Sequence, residues 1–242
     1  MPFAPERVLI VMPAYNEEEA IGAVIGEVQR SLPTVDCLVV NDGSTDDTVA
    51  VARAAGATVA DLAVNLGVGG AMRLGFKYAL VGGYDAVVQI DSDGQHDPSV
   101  VPKLLDELAN ADVVIGARFA GEGDYQAHGV RRFAMRIIAR ILSRTAKTRL
   151  TDATSGFKAC GPRAIALFAV DYPAEYLGDT VEALVIAARA GCKITQVPVA
   201  MRPRAGGTPS HNPIRAAVYL ARAFLALGFA YLRPTRSLAV ES

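Results

Sequence analysis

The feature that most constrains this fold is a repeated alternation between short, uninterrupted apolar runs and segments with helical periodicity. Apolar runs cover residues 8–12, 37–40, 86–90 and 112–116, and a weaker run covers 58–62. Between them, apolar residues recur at spacings of three and four, as in amphipathic helices. Strands that are apolar at every position are buried on both faces. The pattern therefore predicts an α/β fold, with a mostly parallel sheet covered by helices on both faces.

The same periodicity sets the predicted helices and the domain organisation. Helices are predicted for residues 17–30, 49–55, 70–80, 100–108, 130–147 and 179–190. No internal repeat, low-complexity segment or shift in composition marks a linker. We therefore predict one domain over residues 1–210, followed by a helical extension over residues 211–242.

Charge, cysteine content and hydropathy exclude several classes of protein. A net charge of −1 argues against a general preference for nucleic acid. Cys37, Cys160 and Cys192 lack the spacing of a metal site, so we expect small buried thiols in a reducing compartment. The N-terminus has too short an apolar run for a signal peptide. Because no stretch reaches the roughly 20 apolar residues of a membrane span, the protein is predicted to be cytoplasmic.

Three of the apolar runs end in polar clusters. PAYNEE follows the first run, NDGSTDD the second, and DSDGQ the run at 86–90. Ligands of open α/β sheets bind beyond the carboxyl ends of the strands. Asp91 and Asp93 are two residues apart, so an extended chain would place both carboxylates on one face. Crowded carboxylates repel one another, and a divalent cation would offset that repulsion; the alternative is a loop whose acids cap a helix.

A series of motifs resembles one known family. The segments PAYNEE, NDGSTDDT, NLGVGGAMRLG, DSDGQH, GAR, TSGFKA and VPVAMRPR resemble family 2 glycosyltransferases with the GT-A fold, and within them the polyprenyl-phosphate (dolichyl-phosphate mannose synthase-like) branch. The resemblance spans about residues 7–210. It implies a nucleotide-sugar donor bound across the first strands and a Mg²⁺ or Mn²⁺ ion bound by the DxD segment.

The resemblance implies metal and donor sites at particular positions. The metal ligands would be Asp91, Asp93 and Gln95. The nucleotide-sugar-binding residues would be Pro13, Ala14, Tyr15, Glu17, Asp42, Gly70, Arg73, Asp91 and Ser92. His96 is interpreted as a residue behind the ligands or on the acceptor side, because hard cations favour oxygen.

Two features of the predicted donor site, Tyr15 and the glycine-rich turn, have more than one interpretation. Tyr15 would pack against the base, or it is a buried ring with one hydrogen-bonded hydroxyl. The glycine-rich turn at 65–73 has Met72 at the third position of a dinucleotide fingerprint, which disfavours a dehydrogenase. Many relatives carry a basic residue where Val68 stands, so Arg73 would replace it as a phosphate contact.

The acceptor side is predicted around an arginine-rich helix and Arg118. The helix at 130–147 has an apolar face beside a stripe of Arg132, Arg136, Arg140 and Arg144. It either packs on the protein as an ordinary surface helix or lies on an anionic membrane surface. The resemblance implies that Arg118, with Arg132 or Arg136, contacts the acceptor phosphate.

The resemblance also suggests a catalytic set of Asp93, Arg204 and Asp152. Arg204 would reach the donor diphosphate. Asp152 either orients the acceptor or caps a turn. Two further residues receive structural interpretations: Arg202 supports the fold, and Glu182 is a solvated helix residue.

The predicted reaction is a metal-dependent transfer of a sugar to a polyprenyl phosphate, by single displacement with inversion. A lipid phosphate is already ionised and needs no general base, whereas a hydroxyl acceptor would need one. The alternatives are a soluble transferase acting on a hydroxyl acceptor, such as a small phosphorylated acid, and a non-catalytic sugar-nucleotide-binding module.

The sequence leaves the partners partly open. The donor base would be that of UDP, GDP or dTDP. Residues 213–232 form a helix that contacts the membrane, a membrane partner protein or its own domain. A peripheral location on the cytoplasmic face of the membrane follows from this prediction. Homo-oligomerisation is left open.

Overall fold

The computed structural model describes residues 4–118, 130–173, 179–202 and residue 228, with side chains throughout except at 130–136 and 179. The strands are β1 (Val8–Ala14), β2 (Asp36–Asn41), β3 (Thr58–Asp61), β4 (Ala86–Gln89), β5 (Val113–Ala117), β6 (Lys158–Cys160) and β7 (Ile194–Pro198). The helices are α1 (Ile21–Ser31), α2 (Thr48–Ala54), α3 (Gly67–Gly82), α4 (Val101–Glu107), α5 (Val130–Thr145), α6 (Pro162–Asp171) and α7 (Asp179–Arg189).

All seven strands belong to one sheet in the order β3-β2-β1-β4-β6-β5-β7. Strands β1, β2, β3 and β4 are parallel, as are β5 and β7, whereas β6 runs antiparallel between β4 and β5. The predicted α/β fold with a mostly parallel sheet is thus confirmed. The carboxyl ends of β1, β2 and β4 lie side by side, so the three polar clusters that follow them share one edge of the sheet.

Alternate residues of each central strand are buried in two separate cores. In β1, Leu9 and Val11 face one core, while Ile10 and Met12 face the other. Helices α3, α5, α6 and α7 pack on the first face, and α1, α2 and α4 pack on the second. This explains the uninterrupted apolar runs, because both faces of the sheet are covered.

Two short strands and one helix were not predicted. Strand β6 has three residues and contains Lys158, and β7 has the polar pair Thr195 and Gln196 at its centre. Neither segment has the continuous apolar run that marked the other strands. The helix between them, α6, begins at Pro162 and went unrecognised in the same region.

Cys160 and Cys192 are buried, as expected, whereas Cys37 is only partly buried. All three cysteines are free thiols, and burial raises the pKa of Cys160 to about 12 and that of Cys192 to about 11. Within the described residues, no helix has the length and apolarity required to cross a bilayer. The predicted extension over residues 211–242 lies outside the described residues, apart from residue 228.

Candidate active site

The loops after β1 and β2 are joined by hydrogen bonds. The amide of Asn16 donates to Ser44 Oγ at 2.9 Å, and its side-chain Oδ1 accepts from the Thr45 amide at 2.8 Å. The amide of Glu17 donates to Thr48 Oγ1 at 2.8 Å. The loop after β4 joins them through Ser92, whose hydroxyl donates to the Pro13 carbonyl at 3.2 Å. Tertiary contacts therefore bring the three polar clusters into one site, as their positions after the strands indicate.

Tyr15 and Asp42 have different environments at this edge. The Tyr15 ring is 50% exposed, so the alternative of a buried ring is wrong. Asp42 is buried, and its Oδ1 accepts a hydrogen bond from the Leu66 amide at 2.6 Å. Asp42 thus fixes the connection between β3 and α3, and its amide donates to the carbonyl of Ala14 at 2.8 Å, directly before the exposed Tyr15. The contacts of both residues with a nucleoside stay predictions.

The glycine-rich turn is the start of α3 itself. Gly67 has a φ of 78°, a left-handed conformation that favours glycine. A Cβ on Gly70 would stand 2.5 Å from the Leu66 Cβ, so the turn has no room for a side chain there. Three residues after Gly70, Arg73 donates from Nη2 to the Val170 carbonyl at 2.6 Å, which joins α3 to the end of α6. The structure thus gives Arg73 a packing contact, and its predicted phosphate contact stays untested.

The chain turns directly after Asp91. Strand β4 ends at Gln89, and the chain turns at Ser92 and Asp93 with Gly94 at a φ of 76°. The extended chain expected over Asp91 and Asp93 is therefore wrong. The Asp91 side chain is 40% exposed, whereas Asp93 is buried and its Oδ1 accepts from the Gln95 amide at 3.0 Å.

His96 lies directly against Asp91. Its Nδ1 accepts a hydrogen bond from the Asp91 amide at 3.0 Å, so the ring carries its hydrogen on Nε2. That nitrogen lies 3.7 Å from the Asp91 Oδ2. The imidazole also stacks on Phe157, with ring centroids 4.8 Å apart. His96 therefore supports Asp91 from behind, in line with its interpretation as a residue outside the ligand set.

The donor atoms at this loop fit a hard divalent cation in part. Asp91 offers an accessible carboxylate, Asp93 a second one, and Gln95 an amide oxygen, all of the oxygen type that Mg²⁺ and Mn²⁺ prefer. Across the described ranges, no three His, Cys, Asp or Glu side chains gather as a metal cluster. The protein thus provides a partial ligand set. Such a set suits a cation that also binds phosphate oxygens of a ligand.

Arg118 and Asp152 form a buried ion pair on the acceptor side of the predicted site. The guanidinium donates from Nε to Oδ2 at 2.7 Å and from Nη2 to Oδ1 at 3.0 Å. Asp152 also accepts from the Arg118 amide and from the amide and hydroxyl of Thr154. Burial opposes ionisation of this carboxyl, but the hydrogen bonds and charge of Arg118 outweigh it and lower its pKa below the ordinary 3.8. Asp152 is therefore a saturated carboxylate and a poor proton acceptor.

Of the three remaining predicted residues, two lie in the described part of the chain and one does not. Arg202 pairs with Glu27 at 2.5 Å and with Asp97 at 2.8 Å, which confirms its structural interpretation. Glu182 is 5% exposed, so its prediction as a solvated residue is wrong: it is buried. Arg204 lies outside the described residues.

The described half of α5 favours one of its two alternatives. Ile138 and Leu142 are buried in the core, while Arg140 and Arg144 are exposed. From residue 137 onward the apolar face is therefore covered by protein, as in an ordinary surface helix. Arg132 and Arg136 belong to the same helix, but their side chains are outside the described part.

Three residues near Asp91 were missed as candidates. Gln89 and Lys158 lie opposite each other in the β4–β6 register and are both buried, and Ser155 is buried just before β6. Lys158 donates from Nζ to the Tyr172 hydroxyl at 2.8 Å. A glutamine inside an apolar strand and a lysine inside GFKAC were the available signals, since buried polar residues need partners.

A family description and two enzymes are similar to this chain. The model of glycosyl transferase family 2 matches residues 9–169. The chain is 36% identical over 205 residues to the undecaprenyl-phosphate mannosyltransferase of Micrococcus luteus, covering 80% of this chain and 82% of that protein. It is 34% identical over 162 residues to the polyprenol monophosphomannose synthase of Mycolicibacterium smegmatis, covering 64% of this chain and 61% of that protein.

Solved structures of a third enzyme have the same fold. The chain resembles glucosyl-3-phosphoglycerate synthase from Mycobacterium tuberculosis in complex with Mn²⁺, UDP and phosphoglyceric acid, with a TM-score of 0.69 and 25% identity. That match covers 95% of this chain and 80% of the other. The same enzyme with Mg²⁺ and UDP gives a TM-score of 0.70 at 25% identity, covering 95% of this chain and 80% of that one.

Proposed function

The chain belongs to glycosyl transferase family 2, and on this premise we propose that it transfers a sugar from a nucleotide donor to a polyprenyl phosphate. The reaction uses Mg²⁺ or Mn²⁺ and inverts the anomeric carbon. The family and the GT-A sheet make the chain a nucleotide-sugar-dependent glycosyltransferase. The named activities of the two enzymes from Micrococcus and Mycolicibacterium support the lipid phosphate as acceptor.

The observation that carries the acceptor class is the environment of Asp152. A hydroxyl acceptor loses its proton as the new bond forms, and a base must take that proton. Asp152 accepts five hydrogen bonds, two of them from the Arg118 side chain, and its pKa is lowered. It is therefore unsuited to the role of base. A phosphate monoester is already ionised near neutral pH, so its oxygen attacks without such help.

Different residues at the sheet edge bind the sugar donor and the acceptor. Tyr15 packs against the base, and Asp42 keeps the α3 turn in place. Asp91, Asp93 and Gln95 would bind the cation, which would neutralise charge on the departing nucleoside diphosphate. Arg118, oriented by Asp152, binds the acceptor phosphate together with Arg132 or Arg136, and Arg204 contacts the diphosphate.

A second candidate is supported by the solved structures. Glucosyl-3-phosphoglycerate synthase was crystallised with phosphoglyceric acid. The structural match to that enzyme covers 95% of this chain. A soluble transferase acting on the hydroxyl of a small phosphorylated acid is therefore the alternative. In that case a base other than Asp152 would remove the hydroxyl proton.

A matched acceptor assay separates the candidates. The protein is incubated with UDP-, GDP- or dTDP-linked sugars, Mn²⁺, and either detergent-solubilised undecaprenyl phosphate or phosphoglyceric acid. The proposal expects sugar transfer to the lipid phosphate, loss of transfer with a chelator, and recovery with Mg²⁺ or Mn²⁺. Transfer to phosphoglyceric acid alone supports the second candidate, and donor binding without transfer to either supports a non-catalytic module. The anomeric configuration of the product, read by NMR, tests inversion.

The location is tested separately. A protein that acts on a lipid phosphate is proposed to lie on the cytoplasmic face of the membrane as a peripheral protein. Sedimentation with vesicles containing an anionic lipid, compared with neutral vesicles, measures this association. Recovery in the supernatant with both vesicles would contradict it.

A further inference from the structure

Gln89 is a buried polar residue in a strand that is otherwise apolar. It ends β4, whose four residues are all buried, and it is only 3% exposed. Its neighbours Val87 and Val88 pack into the two cores of the sheet. An apolar side chain would be the ordinary choice at this position, because a buried amide gains nothing unless it is hydrogen-bonded.

The amide of Gln89 contacts the carboxylate of Asp91. Its Nε2 donates to the Asp91 Oδ1 at 3.2 Å, while His96 approaches the Asp91 Oδ2 from Nε2 at 3.7 Å. The two oxygens of Asp91 therefore face different nitrogens, and the Asp91 amide is bonded to the same histidine. These contacts restrict both the backbone and the side-chain rotation of Asp91.

Gly156 closes the space around this pair. A Cβ at residue 156 would stand 3.0 Å from the Asp91 Oδ2, 3.1 Å from its Oδ1 and 3.1 Å from the Gln89 Nε2. Any larger residue would therefore displace the carboxylate or the amide. The chain leading into β6 thus packs directly on the Gln89–Asp91 contact.

The amide orientation has a cost that an apolar residue would avoid. An ionised carboxylate only accepts hydrogen bonds, so Gln89 must present its NH₂ group to Asp91. Its Oε1 is then buried and has no hydrogen-bond partner among the described residues. A buried oxygen without a partner destabilises the fold. The favourable interaction of Gln89 that offsets this cost is its hydrogen bond to Asp91.

From these contacts we propose that Gln89 is a positioning residue that fixes the rotamer of Asp91 for cation binding. The inference rests on the proposed function, since it assigns Asp91 to the cation. Without the Gln89 donor, the carboxylate rotates more freely and binds the cation with less preorganisation. Partners behind a metal ligand commonly change metal affinity by about 10- to 100-fold when they are removed.

The test measures Mn²⁺ binding directly, by the loss of the free Mn²⁺ EPR signal on titration, with and without UDP. Gln89→Met keeps the length of the side chain and removes the donor. We expect its Mn²⁺ affinity to fall by about 10-fold or more, with UDP binding in the absence of metal and the thermal midpoint little changed. The control is Gln29→Met, which removes an amide that donates to the Ala55 carbonyl, far from Asp91; its Mn²⁺ affinity should equal that of the wild type.

Two further variants guard against misfolding. Gln89→Asn keeps an amide but shortens its reach, and Gly156→Ala displaces the pair by a single methyl group. Both should weaken Mn²⁺ binding in the same direction as Gln89→Met.

The outcomes separate this inference from the proposed function. If the wild type binds Mn²⁺ and the folded Gln89 variants bind it equally well, the inference is overturned while the function stands. If the wild type binds no Mn²⁺ even with UDP, the metal-dependent function itself fails.

Discussion

Arg118 and Asp152 form a bidentate ion pair in which Nε lies 2.7 Å from Oδ2 and Nη2 lies 3.0 Å from Oδ1. The Asp152 side chain is fully buried at 0% exposure, and Arg118 is 15% exposed. The pair joins the end of β5 to the loop before β6. Asp152 therefore positions the side chain of Arg118. We expect substitution of Asp152 to affect the stability of the fold as well as activity.

Asp152→Asn should strongly destabilise the protein. Asparagine keeps the shape but loses the charge and one acceptor oxygen, so the guanidinium is left without its buried counter-ion. Breaking one side of a buried ion pair costs about 3–5 kcal/mol in the free energy of unfolding. Urea denaturation near neutral pH measures the change. Asp106→Asn, on the exposed face of α4, is the matched control, and an equally small effect of both variants would contradict the prediction.

The same ion pair should make stability depend on acid pH. The pKa of Asp152 is lowered below 3.8 in the fold, whereas the unfolded chain has the ordinary value. The unfolded state therefore binds this proton first as the pH falls. The contribution is fully present above the ordinary pKa and is lost as the pH falls through the lower, folded value.

Comparison with Asp152→Asn isolates this contribution. Asp46 and Asp97 also have lowered pKa values, because hydrogen bonds from Thr48 and Ser99 outweigh the opposing effect of burial. The wild type therefore has an acid slope from several groups. Between about pH 5 and the folded pKa, the slope of the unfolding free energy should be steeper in the wild type than in the variant. Parallel slopes would rule out the Asp152 contribution.

Asp91→Asn should abolish most of the catalytic activity and leave the fold intact. The amide keeps the size of the side chain but removes the negative charge that binds the cation. The expected decrease in kcat/KM is on the order of 10²- to 10³-fold, the range for loss of one electrostatic contact with the reacting charge. Circular dichroism and the thermal midpoint check the fold. Near-normal turnover by the variant would remove the assignment of Asp91 to the cation.

Tyr15 should affect donor affinity through its ring and not through its hydroxyl. Because the ring is exposed at the carboxyl end of β1, Tyr15→Ala removes an aromatic surface without creating a core cavity. We expect the donor Kd to rise by about ten-fold, which corresponds to the upper range of an aromatic contact. Tyr15→Phe should stay close to the wild type. Calorimetric titration with each nucleotide sugar measures both variants.

Gly75→Ala tests the packing of α3 on the sheet. A Cβ at this position would stand 2.5 Å from the Val11 Cγ1, inside contact distance. The helix must shift or Val11 must change rotamer, at a cost of about 1–3 kcal/mol in the free energy of unfolding. Gly26→Ala in α1 is the control, because its nearest atom is the flexible end of Arg30 at 3.2 Å. A more stable Gly75→Ala variant would contradict the described packing.

Much of the candidate site could be predicted from the sequence because its residues lie in short segments directly after strands. Uninterrupted apolar runs identified four of the parallel strands, and the polar residues directly after them had to meet at one edge. The DxD segment and the glycine-rich turn also lie in short, continuous stretches. The family followed from the same motifs and is confirmed by the match over residues 9–169.

Sequence patterns failed for Glu182, for the DxD segment and for β6. Glu182 was expected in solvent from the pattern of its helix alone, yet the folded chain buries it. The Asp91–Asp93 segment was expected to be extended, but Gly94 allows a turn. Strand β6 is too short and too polar to be recognised by pattern.

The sequence by itself determined the alternation of strands and helices from β1 to β5 and the set of polar residues at the strand ends. The reason is that these depend on periodicity and turn chemistry over a few residues. Only the tertiary structure decided the insertion of β6 between β4 and β5, the contact of Gly156 with Asp91, and the pairing of Arg118 with Asp152. Such pairings join residues more than thirty positions apart. They are selected by packing and burial of the whole sheet, which no local pattern contains.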